Sequence, residues 1–370
     1  MPDSTIEGDI PGDPLIGQTL DGKYQIEERL GVGGMGTVYR ARHLLIDGLV
    51  AIKVLNQRFV EDDAARIRFH REAKAAGRLQ HKNAVAVTDF GQTAEGHVYI
   101  VMELLEGRTL REIVAKEAPL ETARATSIML QVSGAVAAAH DAGVIHRDLK
   151  PANIFVSQRP DMPTVVKVLD FGIAKLAAET LDEEDRHNLT LFGAMIGTPR
   201  YISPEQCDGL ELTAAADVYS LGVIFYEMLT GTVPFSGSSP VEIAIKHAME
   251  PPRSPREIVA AIPQDIDRLI LHSLEKVPAD RPANASEFRQ ELLRIAEKLG
   301  LEHAATTSSP DMKKLRDVGT ESPSGRLIID LARLRESGAF ISGDQTVTPG
   351  KSAKASSFVN KVKRILKKPF

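Results

Sequence analysis

Between Val144 and Val156 the chain reads V-I-H-R-D-L-K-P-A-N-I-F-V, two short apolar runs around a tight cluster of charged and amide side chains. Asp148, Lys150 and Asn153 place a base, a cation and a metal-binding oxygen a few residues apart. Val144-Ile145 and Ile154-Phe155-Val156 suit short strands anchored in a core. His146 to Asn153 would then form a loop held at both ends, where positioned chemistry belongs. Four other stretches carry reactive types. Lys53 is the one charge in the apolar run Val50 to Leu55, the glycines of Gly31-Val32-Gly33-Gly34-Met35-Gly36 could let backbone N–H groups approach an anion, and Asp-Phe-Gly occurs twice, at Asp89 and at Asp170.

The elements that must position these groups are readable in outline. Tyr24, Ile26 and Leu30 suit a strand that enters the glycine run, and Thr37-Val38-Tyr39, β-branched and aromatic, continue as a second strand. A dinucleotide-binding βαβ unit would instead start a helix at the last glycine, so a glycine-rich hairpin fits better. From Asp62 to Leu79 the spacing predicts a helix with Phe69, Ala73, Ala76 and Leu79 on one stripe and Glu72 beside it, a carboxylate that needs a partner. The first Asp-Phe-Gly ends a strand through Val85 and Val87, and the second follows a strand from Val165 to Leu169. Alanine-rich sequence from Leu120 to Ala142 reads as a helix, as does Asp217 to its stop at Gly231.

Composition bounds the rest. The 370 residues are 43% hydrophobic and 26% charged, enough to bury a large core in a soluble globular protein. The single cysteine, Cys207, excludes an internal disulfide and fits a reducing compartment. The acidic, Pro/Gly-rich start has no signal-peptide pattern and no apolar run is long enough for a membrane span, so the expected location is cytoplasmic. Residues 301–370 hold 13 Lys/Arg against 7 Asp/Glu, a surplus of +6, which leaves −11 on residues 1–300 within a formal net charge of −5. An acidic body argues against nucleic-acid binding.

Together, H-R-D-L-K-P-A-N, G-V-G-G-M-G-T-V, V-A-I-K, the second D-F-G and S-P-E at Ser203 to Glu205 occur in an order that resembles the protein kinases. The Lys150 variant and the Gly33-Gly34 doublet resemble the bacterial Hanks-type serine/threonine branch. The resemblance covers residues 20–300. It implies an α+β, two-lobed kinase fold: a leader over 1–14, a kinase domain over 15–300 with a small β-rich lobe to about 103 and a mainly helical lobe from 104, and a tail over 301–370. It implies ATP with Mg²⁺, or Mn²⁺ in its place. Gly31, Gly33, Gly34 and Gly36 would cover the phosphates, and Lys53, held by Glu72, would contact them. Leu30, Val38, Ala51 and Phe155 would enclose the purine, with Met102 as gatekeeper and backbone groups near Glu103 and Leu105 as its hydrogen-bond partners. Asp170 and Asn153 would bind metal, Asp148 would orient the acceptor hydroxyl, and Lys150 would stabilise the transferring group. His146 would pack under Phe171, Asp217 would anchor the loop, and Glu205 would pair with Arg281.

The resemblance makes Thr190 a candidate autophosphorylation site, with Arg147 beside Asp148 as the cation awaiting that phosphate, and dimerisation would allow the reaction in trans. Protein substrates with Ser or Thr acceptors are the implied partners. In the Ser/Thr/Pro/Gly-richer tail, read as mostly disordered, Phe358, Val359, Val362, Ile365 and Leu366 share one helical face ringed by Lys361, Lys363, Arg364, Lys367 and Lys368, which suits an anionic membrane or an acidic partner; a frayed solvated end is the alternative. A P-loop NTPase would need a G-x-x-x-x-G-K-[ST] run, which is absent, and a small-molecule kinase usually lacks the Ser-Pro-Glu segment. A catalytically silent pseudokinase scaffold is the remaining rival. Lys53, Glu72, Asp148, Asn153 and Asp170 are all present against it.

Overall fold

Strict alternation of side chains organises the first part of the chain. The computed structural model describes residues 13–33, 36–56, 77, 79–157, 164–171 and 199–301. Contacts divide the chain into a unit over 1–308 and a second over 309–370, the latter outside the described residues, as are Gly34, Glu72, Gly172, Thr190 and almost all of the expected Asp62–Leu79 helix.

Strands β1 (Thr19–Leu20), β2 (Tyr24–Val32), β3 (Gly36–His43), β4 (Gly48–Leu55), β5 (Val87–Gln92) and β6 (Val98–Glu103) form one antiparallel sheet in the order β1-β2-β3-β4-β6-β5. Its register sets Val38 opposite Lys53, Lys53 opposite Ile100, and Ala51 opposite Met102, so these five residues line one face. The other face buries Tyr39, Ile52, Tyr99 and Val101 with Tyr24 and Ile26, and Leu15 and Leu20 cover it. Lys53 is therefore the one charge on the inward face of β4, and it is 7% exposed.

The first Asp-Phe-Gly lies within β5, and its groups are used up by the sheet. Tyr24 donates its hydroxyl to Asp89 Oδ2 at 2.7 Å, and Phe90 faces Ile100. Burial works to raise the Asp89 carboxyl, but the Tyr24 hydroxyl, the Phe90 N–H and Lys23 hold it below the usual carboxylate range. A side chain at Gly91 would collide with the Tyr99 ring, which accounts for the glycine without any ligand. Val85 is outside the strand; its N–H donates to Val168 O at 2.9 Å.

Strands β7 (Arg108–Thr109), β8 (Ile154–Ser157) and β9 (Val165–Val168) make a second sheet beneath the first, in that order. The helices are α1 (Leu110–Glu117), α2 (Thr122–Asp141), α3 (Pro204–Cys207), α4 (Ala214–Thr230), α5 (Pro240–Met249), α6 (Gln264–Ser273) and α7 (Ala285–Lys298). α4 is apolar almost all round and is buried along its length, as a helix of that pattern must be. It ends where Gly231 turns left-handed, φ 76°, and Gly231 N–H closes on Glu227 O. A single core joins α2, α4, α6, α7 and the second sheet.

Val144 and Ile145 do not form the expected strand. Val144 N–H is spent on Ala139 O at 2.8 Å, closing the end of α2, and two residues on the N–H of His146 goes to a side chain, Asp217, instead of a strand partner. Ile154–Ser157 is a strand, so the reactive loop is tethered to a sheet at one end and to a helix at the other.

Candidate active site

The loop from Val144 is shaped by one buried carboxylate. Asp217, in the first turn of α4 and 1% exposed, accepts His146 N–H at 2.7 Å, Arg147 N–H at 2.9 Å and His140 Nε2 at 2.8 Å. These bonds hold Arg147 at φ 65°, a region a long side chain seldom enters, and Asp148 N–H then closes back on His146 O at 2.8 Å. The result turns the Asp148 carboxylate outward. Lys150 Nζ lies 2.7 Å from Asp148 Oδ2, and Asn153 Nδ2 donates to Asp148 O at 2.9 Å and to Oδ2 at 3.2 Å.

The same loop grips the end of β9. Leu169 N–H donates to Asn153 O at 2.8 Å, and His146 Nε2 is 2.9 Å from Leu169 O; since a carbonyl only accepts, Nε2 carries the hydrogen. The His146 ring meets Phe171 at 5.1 Å, the packing role read for it. Asp170 is left-handed too, at φ 54°, and its Oδ2 receives Lys53 Nζ at 2.7 Å. Lys53 with Asp170, and Asp148 with Lys150 and Asn153, thus form two bonded sets that the Leu169 N–H to Asn153 O bond brings together. Glu72, the expected partner of Lys53, is outside the described residues; the partner the structure shows is Asp170.

Glycine positions divide into two kinds. Gly36 is required by the protein itself, because a Cβ there would run into Val54 O across the β3–β4 ladder. Gly31 has open space where its Cβ would be, Gly33 has only Gly36 O at 3.6 Å, and neither has a positive φ, so packing does not explain them. Gly36→Ala is therefore expected to cost ~1–3 kcal/mol, by analogy with overpacking, with Gly31→Ala near neutral in the same chemical denaturation series.

At the junction between the two sheets, Glu103 N–H is committed to Ala86 O at 3.0 Å, so of the main-chain groups expected to meet a purine this N–H is already used. The Glu103 carboxylate accepts Ala86 N–H and Lys167 Nζ, each at 2.7 Å, and Lys167 also reaches Ala84 O at 3.3 Å. This pair joins β6 to β9, and no motif in the sequence announced it. Glu103→Gln should lower stability by ~1–2 kcal/mol. A double-mutant cycle with Lys167→Met checks the coupling; additive losses would count against it.

Of the remaining expected lining residues, Ala51 is buried on the face with Lys53, Val38, Met102, Leu105 and Phe155 are half-buried, and Leu30 is 48% exposed at the glycine end. Below the loop, Arg281 grips Glu205 with two bonds of 2.9 Å and also donates to Glu275 O, Ala215 O and Lys276 O. That pair fixes α3, whose Gln206 Nε2 donates to Arg147 O at 2.7 Å and so ties the Ser-Pro-Glu segment to the reactive loop.

Comparison with known proteins agrees with this geometry. The protein kinase domain family matches residues 24–293. The serine/threonine-protein kinase pkn3 of Myxococcus xanthus is 47% identical over 285 residues, 76% of this chain and 52% of that protein. PknB of Mycolicibacterium smegmatis is 42% identical over 283 residues, 76% of this chain and 44% of that one. The chain spans about half the length of the curated relatives it matches. Among solved structures, the PknI kinase domain of Mycobacterium tuberculosis superposes with a TM-score of 0.59 at 28% identity, over 75% of this chain and 98% of that one. Given the extent of the family match and the identity to these relatives, the chain belongs to the protein kinase family, within its bacterial Hanks-type serine/threonine branch.

Proposed function

We propose that the protein is an ATP-dependent serine/threonine protein kinase. The observation that carries this is the pair of bonded sets, Lys53 with Asp170 and Asp148 with Lys150 and Asn153, brought together by the Leu169 N–H to Asn153 O bond. A pseudokinase scaffold would have no need to keep all five in register.

The donor set suits a hard divalent cation. Among the described residues no group of three or more His, Cys, Asp or Glu side chains could hold a metal ion. One carboxylate, Asp170, and one amide oxygen, that of Asn153, suit Mg²⁺ or Mn²⁺, which take few protein ligands and complete their shell with phosphate oxygens and water. Asn153 has its amide nitrogen on Asp148, which leaves its oxygen for such a role. A divalent metal held by Asp170 and Asn153 would offset the negative charge of the phosphates. Lys53 supplies a buried cation to the phosphates while Asp170 holds its amine in place. Asp148 accepts a hydrogen bond from the Ser or Thr hydroxyl and aims its oxygen at the γ-phosphorus. Lys150, already on Asp148, sets a positive charge where the transferring group gathers negative charge.

The nucleotide lies under Gly31 and Gly33, against Val38, Ala51, Met102 and Phe155, with Leu30 over the purine; Glu103 offers its carbonyl and Leu105 its main chain. The AMP-PNP complex of Rad53 1–466, a structural relative at 25% identity and TM-score 0.59, supports a nucleotide in such a site. Gly31→Ala should weaken ATP binding ~3- to 10-fold without loss of stability, since only the approach of the phosphates is obstructed; unchanged ATP affinity in calorimetry would count against the hairpin's role.

The kinase domain occupies about 15–300, in two lobes that meet near 103. Thr190 is the proposed activating site, Glu72 the second partner of Lys53, and paired copies carry out self-phosphorylation in trans. The enzyme acts in the cytoplasm, and the basic tail docks on an anionic membrane or an acidic partner. No helix among the described residues is long and apolar enough to cross a membrane. Intact mass of phosphatase-treated protein after incubation with Mg-ATP, beside Asp170→Ala, tests the main reading. Phosphate additions in the unaltered protein alone are expected, and none in either, with ATP bound, would return the pseudokinase reading. Fragment mapping of the product tests Thr190.

A further inference from the structure

Most cations around the reactive loop have visible anchors. Arg108 and Arg124 both close on Glu117, at 2.7 and 2.6 Å, and Lys150 sits on Asp148. Arg111 and Arg200 differ: both are exposed, and neither has an ion-pair partner among the described residues.

Both lie on segments that are tied to the reactive loop. Arg111 lies in the first turn of α1, which packs on the turn Pro151–Asn153 that carries Asn153. Arg200 directly precedes Tyr201, whose hydroxyl donates to Glu227 at 2.7 Å and whose carbonyl accepts Ser220 Oγ at 2.8 Å. Three residues on from Arg200, Ser203 starts α3, which Gln206 ties to Arg147 beside Asp148. Both guanidinium groups are near enough to the Tyr201 hydroxyl to oppose the rise in its pKa that burial and Glu227 produce. Glu227, the carboxylate there, accepts the Tyr201 hydroxyl and also feels the charge of Arg200, both opposing the rise that burial produces in its pKa.

A segment presenting its hydroxyl to Asp148 passes the elements that carry these residues, and two exposed arginines without an ion-pair partner among the described residues favour carboxylates and repel cations. We propose that Arg111 and Arg200 select protein substrates that carry Asp or Glu within a few residues of the acceptor Ser or Thr. This rests on the kinase reading above and adds the substrate class to it. Arginine suits the task because its planar fork can take a carboxylate with two parallel bonds.

The test uses the full chain and three threonine peptides of one frame, with flanking positions filled by Asp/Glu, Asn/Gln or Lys/Arg. The unaltered enzyme is expected to favour the acidic over the neutral peptide by roughly tenfold in kcat/KM, mostly through KM, and less so at high salt. Arg111→Ala and Arg200→Ala should each reduce that ratio, and the double Arg111→Glu/Arg200→Glu variant should move the preference to the basic peptide. Measuring a ratio on each variant keeps the answer independent of how active the variant is. Equal use of acidic and neutral peptides by the unaltered enzyme, or a ratio untouched by both single substitutions, would overturn the assignment while leaving the kinase reading intact. Turnover of none of the peptides, with no self-phosphorylation, would instead defeat the kinase reading and this inference with it.

Discussion

Asp148→Asn is expected to lower kcat for peptide phosphorylation by ~10²- to 10⁴-fold, the range for loss of a positioned acid or base. The substitution is nearly isosteric, and the side chain is partly exposed at the end of its loop, so the fold should survive it. What is lost is the charge. The carboxylate is poised by Lys150 and Asn153 on Oδ2, and an amide there can neither accept the acceptor proton nor attract Lys150. Because Asp148 addresses the acceptor and not the nucleotide, KM for ATP should change little while kcat and kcat/KM for peptide fall together, the pattern of an interaction made in the transition state. Steady-state kinetics with an unchanged melting transition would support this. Activity within a few fold of the unaltered enzyme would mean that another group orients the hydroxyl.

Asp217→Ala should be the most destabilising single change in the loop's support, at ~3–5 kcal/mol, out of a total that for most domains is ~5–15 kcal/mol. Two main-chain N–H groups and His140 would be left buried without their acceptor. Activity should fall even at temperatures where the variant is folded, because Asp217 accepts the N–H groups of both His146 and Arg147 at the left-handed turn. The pH dependence follows from the same contacts. Burial by itself would raise the Asp217 carboxyl, but the His140 hydrogen bond, the nearby charge of His146 and His140 and the His146 N–H together hold it below the usual carboxylate range. A folded value below the unfolded one, about 3.9, contributes stability that is complete above that pH and is lost as pH falls through the folded value. The unaltered protein should therefore lose stability in that acid range more steeply than Asp217→Ala does, as read by urea denaturation at a series of pH values. Parallel pH profiles would remove the carboxylate from the account.

Much of the site was legible because its groups travel in short runs. Asp148, Lys150 and Asn153 sit within one loop whose length is set by chain geometry, so their types and spacing already state what they can do. The helix Ala214–Thr230 and its glycine stop were readable for a similar local reason: an all-round apolar run and a left-handed cap. The expected strand at Val144-Ile145 failed because propensity cannot register that a distant carboxylate will claim the N–H of His146. The two Asp-Phe-Gly copies were told apart by their order along the chain, yet what the first one's groups meet, a tyrosine hydroxyl on Asp89 and a tyrosine ring against Gly91, appears only in three dimensions.

By itself the sequence determined the family, the reactive groups and the elements that bear them, since each depends on neighbours a few positions apart. The tertiary structure decided which partner each group takes: Lys53 on Asp170, 117 positions away, Glu103 on Lys167, and Asp217 on the loop backbone. It also decided which glycine serves the fold and which leaves room for a ligand. Such pairings depend on strand register and on the closure of long loops, and those are settled by burial of the whole core, so no local pattern of residues carries them.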